Sequence, residues 1–292
     1  MNAHMKSVAS LVVLAGTLVP GVVLPQQAEA LNWVSAYTPE APDLDGRSET
    51  LWEQALPLRV TVREALGGGA PVEVELRALH TDDSLYVLAR WPDATASTQR
   101  DPYVWNAATN TYDRPTLADD QFALQFPLEG AFEINMLATG VAFTTDVWHW
   151  KAGRSNLGGW VDDKRHIIAQ EPVDGALPYQ MGGRAVVYIA RPMDAGAQSY
   201  TALPVPETYT TDLVPSYTAQ QPDGSQADVR GKGLHDGNGW TLEMGRRFDT
   251  GNADDAAIDP ATTIECAIAI LNDELYWNHA VSPKLVLHFQ ER

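Results

Sequence analysis

Sulfur chemistry is nearly absent from this chain, which has one cysteine, Cys266. That excludes an intramolecular disulfide and a cysteine-held iron–sulfur centre. No C-x-x-C-H run occurs, so covalent c-type haem attachment is excluded too. Cys266 sits in the apolar run Thr263–Ile270 and reads as a small buried hydrophobe. Cations are also scarce: 20 Lys and Arg face 38 Asp and Glu, for a net charge of −18. Such a surface argues against nucleic acid or anionic lipid as a partner. It suits a basic partner protein or a high-salt habitat. Amphipathic helical periodicity is weak, and only Arg47–Ala55 reads as a short helical turn. A P-loop, a G-x-G-x-x-G after a strand, zinc-type histidine spacing and a nucleophile elbow are all missing. The chain carries no recognisable catalytic machinery of its own.

Long apolar runs are confined to the start. Lys6 precedes the stretch Leu11–Leu24, which Gly16, Thr17, Pro20 and Gly21 interrupt, and Ala28-Glu29-Ala30 follows as an A-x-A cleavage site. Residues 1–30 therefore read as a secretory signal peptide without a twin arginine. The mature chain should begin near Leu31 and be exported to the periplasm. No later segment approaches membrane-spanning length.

What remains is strand and turn. Glu73–Leu79 and Leu85–Trp91 form a hairpin through Asp82-Asp83, and Gln121–Phe126 alternates and stops at Pro127. Ala185–Ile189, Trp240–Met244, Ile264–Ile270 and Leu285–Phe289 complete the set, punctuated by 19 prolines and 22 glycines. The expected fold is an all-β, antiparallel, immunoglobulin-like sandwich formed by one domain over residues 31–292. Residues 94–118 and 193–236 carry little strand signal and read as long functional loops.

The densest chemistry is Asp146-Val-Trp-His-Trp-Lys-Ala-Gly-Arg154, ten residues after Met136. An aromatic wall beside a thioether and imidazoles suits a non-covalent haem slot. A strand whose aromatic face packs into a core is the competing reading. His149 alternates with Trp148 and Trp150, so it points to the opposite sheet face from both. Either the tryptophans line a pocket or His149 does. Beyond the leader, the possible axial donors are Met136, Met181, Met193 and Met244, with His80, His149, His166, His235, His279 and His288. Lys151 and Arg154 are candidates to neutralise propionates. Asp162-Asp163 and Asp254-Asp255 are acidic pairs of the kind that bind calcium.

Three motifs together resemble a known family. Asp45-Gly-Arg-Ser-Glu-Thr-Leu-Trp52-Glu-Gln-Ala55 is similar to the opening D-G…W…A motif of family 9 carbohydrate-binding modules and related haem-binding sandwiches. Leu76–Asp93 resembles the hairpin that follows it, and Asp146–Ala152 is similar to the D-x-W-x-W-K-A signature of the ethylbenzene dehydrogenase-related haem b domain. That domain is the gamma subunit of ethylbenzene and dimethylsulfide dehydrogenases, selenate and chlorate reductases and nitrite oxidoreductase. The resemblance implies a non-catalytic electron-transfer subunit carrying non-covalent haem b. Its partners would be a molybdopterin catalytic subunit, an iron–sulfur subunit and an external cytochrome or quinol-linked carrier. It also implies that Met136 is one axial ligand. In the family the second is commonly a lysine at the entry to the last strand. Here His279 occupies that place, with Lys284 as the fallback and Trp277 as a further pocket wall. The rival from another class is an exported carbohydrate-binding module without haem, which nine tryptophans and ten tyrosines would also suit.

Overall fold

A computed structural model describes residues 30–64, 70–180, 183–273 and 279–292. The leader, Met181 and Trp277 lie outside the described residues.

The described strands are β1 Leu31–Tyr37, β2 Leu58–Glu64, β3 Val72–His80, β4 Ser84–Pro92, β5 Tyr103–Asn106, β6 Thr111–Asp113 and β7 Gln121–Gly130. They continue with β8 Phe143–Lys151, β9 Asp162–Ala169, β10 Leu177–Tyr179, β11 Val187–Ala190, β12 Tyr200–Ala202 and β13 Leu213–Val214. The last are β14 Tyr217–Ala219, β15 Arg230–His235, β16 Gly239–Arg247, β17 Ile264–Leu271, β18 Ala280–Val281 and β19 Leu285–Phe289. Helix among the described residues is limited to 3-10 turns at Thr50–Gln54, Ser155–Gly158 and Gly224–Ala227. The protein is all-β, as its alternating segments and Pro/Gly turns require.

One extended sheet runs β10-β11-β9-β8-β7-β17-β18-β2-β3-β4-β16-β15 and doubles over on itself. Its two halves share a core. Val74, Leu76, Val87, Trp91, Leu242 and Met244 come from one half, and Phe122, Leu124, Trp148, Trp150, Cys266 and Ile268 from the other. The ladders are antiparallel except those of β1, which runs parallel to both β19 and β3. Pro127 does not end its strand: β7 continues to Gly130 past a register shift between Pro127 and Glu129. A bulge is where a strand tolerates proline.

The two long loops are not strandless. β13 from the second pairs with β5 of the first, joining them into a three-stranded sheet with β6, and β12 pairs with β14. The opening D-G…W motif is a clamp. The backbone N–H groups of Asp45, Gly46 and Ser48 and the Trp52 indole N–H all donate to the buried Glu243 carboxylate, at 2.7–3.0 Å. Gly46 has φ +83°, and an added Cβ would lie 3.0 Å from Leu234, so glycine is required at this turn.

Candidate functional site: a basic cavity on the outer sheet face

β7, β8 and β17 lie side by side, and each has two faces. Phe122, Leu124, Trp148, Trp150, Cys266, Ile268 and Ile270 point into the core. The alternate positions line a cavity of 770 Å³ on the outside of the sheet. That volume falls in the ~300–1,000 Å³ range of cofactor pockets. The ladders align Ala269, Ala123, His149 and Asp162 in one row and Ala267, Gln125, Val147 and Lys164 in the next. The alanines hollow the floor, because no larger side chain rises from those positions. The segment Ile134–Leu137 with Tyr179, Ile189, Arg191, His279 and Val281 supplies much of the remaining lining.

The electrostatics oppose those of the whole protein. Arg100, Lys151, Arg154, Lys164, Arg184 and Arg191 line the cavity, and among the described residues no Asp or Glu lines it. Some of these cations are already engaged from behind. Arg154 forms a forked pair with Asp119, 2.8 and 3.2 Å, and Lys151 is bonded to the buried Asp162, which also accepts from the Tyr200 hydroxyl. Lys164 is 7% exposed and has no ion-pair partner among the described residues. Burial, reinforced by Lys151, holds its amine well below 10.5. His149 and His166 are half-buried, and all four of their ring nitrogens are shielded from solvent and unpartnered. Burial first, then Lys164, lowers both imidazoles well below 6.5. Unpaired buried bases around a hollow are a signature of a binding site rather than of packing.

Of the residues singled out in the sequence, Met136, His279, Lys151 and Arg154 all line this cavity. Met136 is partly buried against Phe143, Ile168, Val187 and Ile189. Trp148 and Trp150 do not line it, which corrects their expected role as its wall. Trp150 packs edge-on to Trp240 at 4.9 Å and Trp148 edge-on to Phe126 at 5.2 Å, both inside the core. Strand alternation therefore gives the outer face to His149. Lys284 is not a lining residue: its amine bonds the Glu265 carboxylate at 3.0 Å and the Phe132 carbonyl at 3.3 Å. His80, His235 and His288 are engaged with Ser35, Asp93 and Asn32. Met244 is in the core. Sequence reasoning passed over Lys164 and placed His166 only among the possible donors. Their shared face, two residues apart on β9, was the available signal.

The acidic pairs separate. Asp162 serves Lys151, and Asp254 accepts from the Ala195 N–H and the Ser225 hydroxyl. Asp146, Asp163 and Asp255 converge within 4.8 Å, but the Arg246 guanidinium already lies among them, at 2.8, 3.7 and 3.0 Å. Among the described residues no helix is long and apolar enough to cross a membrane.

The fold and cavity define a class: an all-β protein with a deep cationic slot on one sheet face, furnished with thioether and imidazole donors. The family model described as ethylbenzene dehydrogenase matches residues 49–280, and the chain belongs to that family. Comparison with curated proteins returns no match. Among solved structures, the chain is similar to a family 9 carbohydrate-binding module from Caldicellulosiruptor kristjanssonii in complex with glucose. The identity is 9%, coverage is 89% of this chain and 96% of that one, and the TM-score is 0.39. It is also similar to a Bacteroides uniformis protein described as carbohydrate-binding, at 10% identity, 90% and 100% coverage and TM-score 0.43.

Proposed function

We propose that this chain is an exported, periplasmic electron-transfer subunit that binds haem b without covalent bonds in the outer-face cavity. The carrying observation is the lining itself: a thioether, three histidines and six cations around a hollow that no carboxylate of the described residues lines. Haem b is a flat apolar dianion that needs axial donors, and these are the groups that fit it. Membership of the ethylbenzene dehydrogenase family supports the same reading. When bound, haem b supplies a one-electron couple. Met136 and His279 are the residues proposed to hold it axially, and Lys151 and Arg154 to offset its carboxylates. Two side-chain donors on the iron would leave no place there for a substrate, which suits relay rather than catalysis.

The proposed partners are a molybdopterin catalytic subunit and its iron–sulfur subunit on one side and an external cytochrome or quinol-linked carrier on the other. The joined loops 94–118 and 193–236 are the proposed docking surface. There Trp105 sits edge-on to both Tyr112 and Tyr209 at 5.1 Å, and Tyr209 and Leu213 are exposed. The test is the spectrum of the protein purified from haem-replete cells. A Soret band, a sharp reduced α-band and a haem b pyridine haemochrome at one per chain are expected. A colourless protein retarded on polysaccharide gels would replace this reading with the carbohydrate-binding one.

A further inference from the structure

The cavity is polarised along β8. The outer face of that strand runs Phe143, Thr145, Val147, His149, Lys151, and across the ladder on β9 lie Ile168, His166, Lys164 and Asp162. At the Phe143 end the surroundings are apolar, with Ile168, Val187, Ile189, Met136 and Leu137. At the Lys151 end they are basic. Of the four bases there, two are already matched: Lys151 by Asp162 and Arg154 by Asp119. Two are not. Lys164 makes no ion pair among the described residues, feeling Asp162 only from beyond pairing distance, and neither nitrogen of His149 has a partner. A largely buried amine held in no ion pair is costly for a fold to keep. These two groups lie on adjacent strands of one face, one row apart in the ladder. They face a hollow whose floor is alanine.

Resting on the haem reading, we propose that His149 and Lys164 form a buried anion cradle that receives the ligand's carboxylates. The acid edge of the tetrapyrrole would then lie at the sheet floor, at the Lys151 end, and not at Arg184 and Arg191. Lys164 supplies the cation and His149 a donor N–H. Lys151 and Arg154, each ion-paired from behind, add to the charge that Lys164 supplies and orient the carboxylates. Neither cradle residue acts as an axial donor. The site therefore selects free-acid porphyrins over neutral ones independently of the metal.

The test uses the apo protein with two fluorescent probes, metal-free protoporphyrin IX and its dimethyl ester. Neither carries iron, so carboxylate recognition is read apart from axial ligation. The wild type is expected to bind the diacid roughly tenfold or more tighter than the diester, the size of a buried charge-assisted hydrogen bond. The variant K164M/H149L should bring the diacid down to the diester's affinity while keeping the strand-type dichroism spectrum. Equal binding of diacid and diester by the wild type overturns the cradle and leaves haem binding standing. Preference kept in K164M/H149L but lost in R184Q/R191Q also overturns it, and places the carboxylates at the arginines. If neither porphyrin nor haem b binds the wild type, the cradle and the haem reading fall together.

Discussion

Asp146 Oδ2 accepts a hydrogen bond from Arg246 Nη1 at 2.8 Å, across 100 residues of sequence and with both side chains fully buried. The same oxygen also accepts the Ala256 N–H at 2.8 Å, and the guanidinium lies 5.0 Å from the Trp148 ring centroid. The first residue of the tryptophan signature is thus a core fastener and not a cofactor contact. Asp146→Ala should cost about 3–5 kcal/mol, the usual loss when one partner of a buried pair is removed. Urea unfolding of the apo protein measures it. Haem affinity per folded molecule should be unchanged; a loss of haem without a loss of stability would contradict the assignment.

Asp163 is the opposite case. Both its carboxylate oxygens are buried without a hydrogen-bond partner. Burial first, then the neighbouring Asp146, pushes its pKa well above 3.8. A raised folded pKa favours the fold below the unfolded value of 3.8 and withdraws that support as pH rises through the folded value. Asp163→Asn keeps the shape and does not titrate. Its melting temperature should match the wild type near pH 4 and exceed it increasingly toward alkaline pH. A wild type that is the more stable of the two at pH 8 would show that the charged carboxylate is needed.

The hollow depends on Ala123 and Ala269, which sit opposite each other on β7 and β17. Ala123→Leu and Ala269→Leu put methyl groups into open space, so the apo fold should melt no lower than the wild type. Haem occupancy should fall at least tenfold, because the floor is raised under the ligand. Thermal melts paired with Soret titration check both halves of this expectation.

Met136 and His279 are tested by spectrum and potential. Met136→Ala should lose the low-spin thioether signature and lower the reduction potential, since a thioether favours the ferrous state. His279→Ala should lose most of the haem. If both variants keep the wild-type Soret and α-bands while His149 or His166 changes abolish them, the axial pair is a different one.

The strand pattern of this fold is legible in the sequence because period-two alternation survives in β3, β4, β7, β16 and β17. What alternation cannot say is which face is inside. On β8 the even positions Asp146, Trp148 and Trp150 face the core and the odd positions Val147, His149 and Lys151 face the cavity. Both faces are buried, so polarity does not separate them. The conspicuous tryptophans face the core, and the site is made by the plainer residues between them. The pairing of β5 with β13 was invisible for another reason: segments a hundred residues apart complete each other, and neither has a strand signal alone. The parallel ladders of β1 likewise leave no local mark. The Glu243 clamp is read only from the fold, because its donors lie in the opening motif and its carboxylate nearly two hundred residues later.

β1 lies between β3 and β19, with Leu31 beside Leu285 and Ser35 beside Phe289 and Ala78. The first described strand therefore waits for the last. Until β19 is in place, one side of Trp33's strand stays open, so the earlier strands alone cannot seal this sheet. A product truncated before Leu285 would expose an unpaired edge beside a buried tryptophan, a ready target for proteases.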